Sequence, residues 1–190
     1  MTSANLISIA ILAILIFWAV GAYNRLIRLK NVIVNAFGQV DVQLKRRYDL
    51  ISNLVEAAKK YLNHERETLE AVIAARAQAK SASDAARSRP AHALAVNALA
   101  VAEQALSSSL RQLFALNEAY SELKADETIR QLSEELTSTE NKVTFARQAF
   151  NDAVLDYNKA QGQFPAMLIA VLFRLEPSAT LQATDSADAR

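Results

Sequence analysis

Residues 126–165 read DETIRQLSEELTSTENKVTFARQAFNDAVLDYNKAQGQFP. Along them Ile129, Leu132, Leu136, Thr139, Val143, Ala146, Phe150, Ala153, Tyr157, Ala160 and Phe164 recur in alternating steps of three and four. That spacing, held over about five heptads, puts one apolar stripe on a helix, a coiled-coil-like seam that other helices must cover. Ala125-Asp126 suits a helix start with acids in its first turn, while Gly162 and Pro165 suit its end. A seam this long needs long helices opposite it.

Those helices are legible upstream. Leu99, Ala102, Leu106, Ser109, Leu113, Leu116, Tyr120 and Leu123 repeat the pattern, widened by Leu110 and Phe114, after a Ser/Ala/Asp/Arg-rich stretch (SASDAARSRP, 81–90) that reads as a loop. Ile51, Leu54, Ala58, Tyr61, Glu65, Thr68, Val72 and Ala75 form a third seam, and Leu26, Leu29, Ile33, Ala36, Val40 and Leu44 a shorter fourth. Three Gly and three Pro in 190 residues argue against turn-rich β architecture, and the abundant Ala, Leu, Glu, Gln, Arg and Lys are strong helix formers. The fold class is all-α. Helices over 50–84, 91–123 and 126–161, each about 50 Å long, would join the first in an antiparallel, up-down four-helix bundle. The competing reading leaves 25–84 as one rod, since no Gly or Pro separates its two seams and the heptad phase passes through Gln43 and Arg47.

Before the bundle comes an anchor. No charged side chain precedes Arg25, and Leu6 to Tyr23 is apolar apart from Ser8 and Gly21. The uncharged stretch 5–24 makes about 30 Å of helix, the thickness of a bilayer's hydrocarbon core. A cleaved signal peptide would want a basic leader and a shorter apolar core. Arg25, Arg28 and Lys30 follow at once, and a basic flank on that side alone predicts the N-terminus outside and the rest cytoplasmic, at the inner membrane. The expected organisation is therefore a transmembrane anchor (1–24), a cytoplasmic helical bundle (25–163), a short apolar segment (164–177) and a disordered polar tail (178–190). The segment FPAMLIAVLF (164–173) is too short to span a bilayer. It either caps the bundle core or lies in the membrane interface, with Phe164, Met167, Leu168, Leu172 and Phe173 as the contact residues. The second is open only to a chain whose passes return it to the anchor.

Net charge is +1, but unevenly spread: residues 25–47 carry six basic side chains against Asp41 alone. Such a segment suits anionic headgroups or the acidic stretch 125–161. Nucleic acid is a poor partner for so short a tract in a nearly neutral chain. Without cysteine there is no disulfide, thiolate metal site or thiol nucleophile. Of the two histidines, His64 and His92, neither follows a Glu by three residues, so no di-iron or zinc-protease pattern exists and no cofactor is expected. His64-Glu65 reads as a polar seam pair. The richest polar set is Lys45, Arg46, Arg47 and Asp49, near Gln43, Asn53 and Glu56, with Arg147, Asn151 and Asp152, near Glu140 and Asn158, on the last helix. Such groups suit bundle register or a partner site better than catalysis.

Three strings carry a family resemblance: YNRLIRLKN (23–31), VDVQLKRRYDLISNLVEAAKKYLNHERETLEAVIAAR (40–76) and LNEAYSELKADETIRQLSEELTSTENKVTFARQAFNDAVLDYNKAQGQFP (116–165). Together they closely resemble the LemA family. The resemblance implies an N-terminally anchored bacterial membrane protein with a cytoplasmic helical bundle and no established reaction. A magnetosome-associated branch of that family is linked to forming an internal membrane. The family has Pro in its "DLIPNLV" string, where a first-turn proline would mark a helix start, so the resemblance favours a helix break near Tyr48–Ile51, although this chain carries Ser52 in its place. Expected is a noncatalytic scaffold or organiser, self-associating or binding membrane or cytoplasmic proteins at the bilayer. The alternative is an anchored sensor binding a small polar ligand between helices.

Overall fold

The computed structural model describes residues 3–62 and 65–182. Among these, every regular element is a helix: α1 (Ser3–Ala58), α2 (Arg66–Ser88), α3 (Ala93–Ala119), α4 (Ser121–Ala125), α5 (Glu127–Gly162) and α6 (Ala166–Leu172). Helix α1 runs for about 84 Å, so the apolar N-terminal stretch and the first bundle helix are one piece. Its N-terminal part is long and apolar enough to cross a membrane, with mean hydropathy 2.5 and none of that stretch buried in the fold.

The remaining helices pack around the other part of α1. Phe37 meets Phe150 edge-to-face at 5.6 Å between centroids, Arg46 faces Glu135, and Tyr61 reaches Asp126. Rising numbers on α1 meet falling numbers on α5, so the two run in opposite senses. Helix α2 folds back on α1 in the same way: Tyr48 donates to the Ala79 carbonyl and Asp41 meets Ser83 and Arg87. Helix α3 pairs with α2 beyond the turn at 89–92. The core fills with Ile33, Phe37, Leu44, Ile51, Leu99, Leu106, Val143, Phe150 and Tyr157.

The α5 seam is as the periodicity reads, with Asp126 capping it by accepting from the Ile129 amide. Phe164 alone of the seam residues is largely exposed. Other expectations need correction. No helix break occurs near Tyr48–Ile51: α1 continues to Ala58 and turns at Lys59–Leu62, where Leu62 is buried and Tyr61 grips Asp126. The third seam therefore crosses this turn, and Ser52 lies within a helix. Tertiary burial, with no Gly or Pro, ends the helix.

The stretch 81–88 is helix rather than loop, because small residues hold the pattern: Val72, Ala75, Ala79, Ser83 and Ala86 are all buried. Only Pro90 stops it, by disfavouring helical backbone at Arg89. Helix α3 ends at Ala119, and a break at Tyr120 leaves α4 separate. Its buried stripe is Val96, Leu99, Glu103, Leu106, Leu110 and Leu113, rotated from the one read in sequence. Residues 178–182 do not follow the expected disorder, since Ser178 and Leu181 are buried against α5. Residues 183–190 of that tail, like His64 of the seam pair, lie outside the described residues.

Candidate functional site

Two features distinguish this bundle, one at its anchor end and one at mid-height. At the anchor end, Pro165 turns the chain and α6 lays Ala166, Ile169 and Ala170 on Leu26 and Ala160, with Ala19, Ala22, Tyr23 and Leu29 around them. Tyr23 packs against Phe173 at 4.7 Å between centroids, and Trp18 lies 6.3 Å from Phe164. The opposite face of α6 is exposed and apolar: Met167, Leu168, Val171 and Leu172, flanked by Phe164 and Phe173. Phe164 is 77% and Leu172 72% exposed. This face continues the equally bare surface of Leu6 to Val20 on α1. Arg25 and Arg28 are exposed and Lys30 half-buried, just beyond that surface. The short segment thus caps the bundle with one side and leaves the other uncovered.

At mid-height the core turns polar. Arg47 is 1% exposed and Glu103 3% exposed. Glu103 accepts from Arg47 Nη1, from the Tyr48 hydroxyl at 2.6 Å and from Arg147 Nη2 at 3.2 Å. Arg47 also donates to Ser107 Oγ at 3.0 Å. Its Nε lies 3.0 Å from Glu140 Oε2 but off the N–H direction, so the contact is ionic and not a hydrogen bond. Three helices are joined: α1 by Arg47 and Tyr48, α3 by Glu103, α5 by Arg147 and Glu140. Burial pushes the Tyr48 phenol far above its ordinary value, and the Glu103 charge adds to it.

The polar residues singled out in sequence divide accordingly. Arg47 and Arg147 come together through Glu103. Half-exposed Lys45 pairs with buried Asp41 at 2.9 Å, and Arg46 with Glu135 at 3.6 Å at the surface. Asp49 and Asp152 are exposed and stand outside the cluster. Asn151 does something different: it clamps the tail, donating to the Leu181 carbonyl at 3.1 Å and accepting from the Leu181 amide at 2.8 Å. Sequence reading missed Glu103. Its signal is an acid inside the 3,4-spaced run Val96, Leu99, Leu106, Leu110, Leu113, a core position where a charge demands a partner.

Beside the cluster, α3 and α5 enclose a cleft of about 490 Å³ lined by Arg47, Glu103, Ser107, Arg111, Thr144 and Arg147, among others. Among the described residues no three His, Cys, Asp or Glu side chains gather as metal ligands. No curated protein matches the sequence closely. A family model does, over residues 36–190, from beyond the anchor through the bundle to the tail. The chain belongs to the LemA family.

Proposed function

We propose that this protein is a noncatalytic scaffold or organiser, anchored by one membrane-spanning segment and held against the bilayer by α6. The N-terminus lies outside and the bundle stands on the cytoplasmic face of the inner membrane, where Arg25, Arg28 and Lys30 meet anionic headgroups at about 1 kcal/mol each. The observation that supports this most is α6, which docks on α1 beside the anchor and turns Met167, Leu168, Val171 and Leu172 outward. Two contacts, one spanning and one interfacial, restrict how the bundle tilts. Its long surfaces then face other proteins or a second copy of the chain in fixed orientation. A buried charge cluster that joins α1, α3 and α5 fits such a role.

The experiment is cross-linking of the full chain in its native membrane with identification by mass spectrometry, beside mass measurement in nanodiscs. The scaffold reading expects self-association or a recurrent neighbour. A strict monomer that cross-links to no protein would sink it.

A further inference from the structure

The tail beyond α6 shows how α5 holds an extended chain. Gln161 donates to the Leu175 carbonyl, and Tyr157 to that of Glu176 at 3.2 Å. Asn158 takes both backbone groups of Ser178, and Asn151 both of Leu181, at 2.8–3.1 Å. The two asparagines are seven residues apart, about 10.5 Å along the helix. Ser178 and Leu181 are three apart, about 10 Å of extended chain. The match of pitches lets side-chain amides read main chain irrespective of sequence.

One turn on from Asn151 along α5 stands Arg147, and there the cleft begins. Leu181 and Gln182 line it together with Arg147, Thr144, Asn141 and Thr137 of α5 and Ser107 and Arg111 of α3. From Arg147 to Leu136 the α5 wall measures about 16 Å, so the cleft is elongated along the direction the tail already follows. Its volume is that of a ligand site. Three arginines (Arg47, Arg111, Arg147) face two carboxylates (Glu103, Glu140), leaving one positive charge in excess. The Arg147 Nε is buried and has no hydrogen-bond partner.

We propose that the α3/α5 cleft binds an extended segment of a partner polypeptide, bearing a carboxylate that pairs with Arg147 while its main chain lies along α5. This rests on the scaffold reading and specifies the kind of partner that reading calls for. A compact solute would satisfy the charge but leave most of the cleft's length empty.

The test uses the full chain in nanodiscs and the peptide fluorescein-Ala-Thr-Asp-Ser-Ala-Asp-amide, compared by anisotropy with its version carrying Asn for both Asp. The expected result is at least tenfold tighter binding of the Asp peptide. Arg147→Gln should abolish that preference, and Thr144→Phe, at an exposed cleft position, should block both peptides with the thermal midpoint unchanged. Because the probe repeats residues 183–188 of this chain, a chain ending at Gln182 is measured alongside. Equal affinity for both chains supports a partner's segment; binding by the shortened chain alone gives the cleft to the chain's own sequence and overturns the proposal. No binding to either chain, equal affinity for both peptides, or a preference that survives Arg147→Gln overturns the proposal. Cross-linking in membranes reads association by any surface, so either result can fail without the other.

Discussion

Replacing Glu103 by leucine removes the acceptor on which Arg47, Tyr48 and Arg147 converge. Arg47 would remain 1% exposed, with the Ser107 hydroxyl as a hydrogen-bond partner and Glu140, whose side chain is 44% exposed, as its one remaining countercharge. Stranding one partner of a buried pair costs about 3–5 kcal/mol. At about 2–4 °C per kcal/mol for a domain of this size, Glu103→Leu lowers the thermal midpoint by roughly 6–20 °C. Arg47→Met leaves Glu103 with the Tyr48 hydroxyl and Arg147, so it should cost less than Glu103→Leu. The double substitution puts an apolar pair in place of Arg47 and Glu103; Tyr48 and Arg147 still lose their acceptor, but no buried Arg47 charge is left behind, so it should cost less than the sum of the two single changes. Denaturation followed by circular dichroism in detergent closes the cycle, with an expected coupling of at least about 2 kcal/mol. The reasoning fails if either single change costs less than about 1 kcal/mol, or if the two add within about 0.5 kcal/mol. The same cycle separates register from simple stability: the double variant should fold yet lose the fixed spacing of α3 against α1, read as altered distances between spin labels.

Tyr48 and Asp126 give opposite pH behaviour. Because burial and Glu103 raise the Tyr48 phenol, the unfolded chain ionises first as pH rises. Its contribution is full below about pH 10 and is lost above it. Tyr48→Phe should cost about 1.5–3 kcal/mol at neutral pH and flatten the alkaline fall in a denaturation series; an unchanged alkaline slope would contradict the assignment. The Asp126 carboxyl is held below the usual range, first by the Tyr61 hydroxyl and then by the Ile129 amide. Its contribution is full above about pH 4 and disappears as pH falls through the lowered value. Asp126→Asn should remove that acid dependence and raise hydrogen exchange in the first turn of α5, and equal acid profiles for the two proteins would refute it.

Much of the fold was written in periodicity. The α5 seam, its cap at Asp126 and its end near Gly162 follow from apolar spacing and local chain chemistry alone. Breaks set by tertiary contacts were not legible. Nothing local marks the turn after Ala58, which depends on Leu62 finding the core and Tyr61 finding Asp126. At 81–88, small and polar residues resemble a loop, yet Ala79, Ser83 and Ala86 are what lets α2 approach α1. The anchor-end surface was legible because a run from Phe164 to Phe173 with so few polar groups needs cover. The charge cluster was half legible: Arg47 stood out as a charge on a seam and Arg147 as part of the polar set on the last helix, whereas Glu103 sat in a stripe read one position away. The tail's contacts were hidden because main-chain capture by Asn151 and Asn158 leaves no pattern in the captured sequence.

The account stands on α6 resting in the membrane interface, and its depth can be measured directly. Nitroxides at Met167 and Leu172 of the full chain in nanodiscs report collisions with oxygen, enriched in the bilayer, against a water-soluble nickel chelate. A label at exposed Phe145, well along α5, supplies the aqueous reference. The account predicts that both α6 labels favour oxygen and are shielded from nickel relative to Phe145. Nickel accessibility equal to that at Phe145 would contradict it.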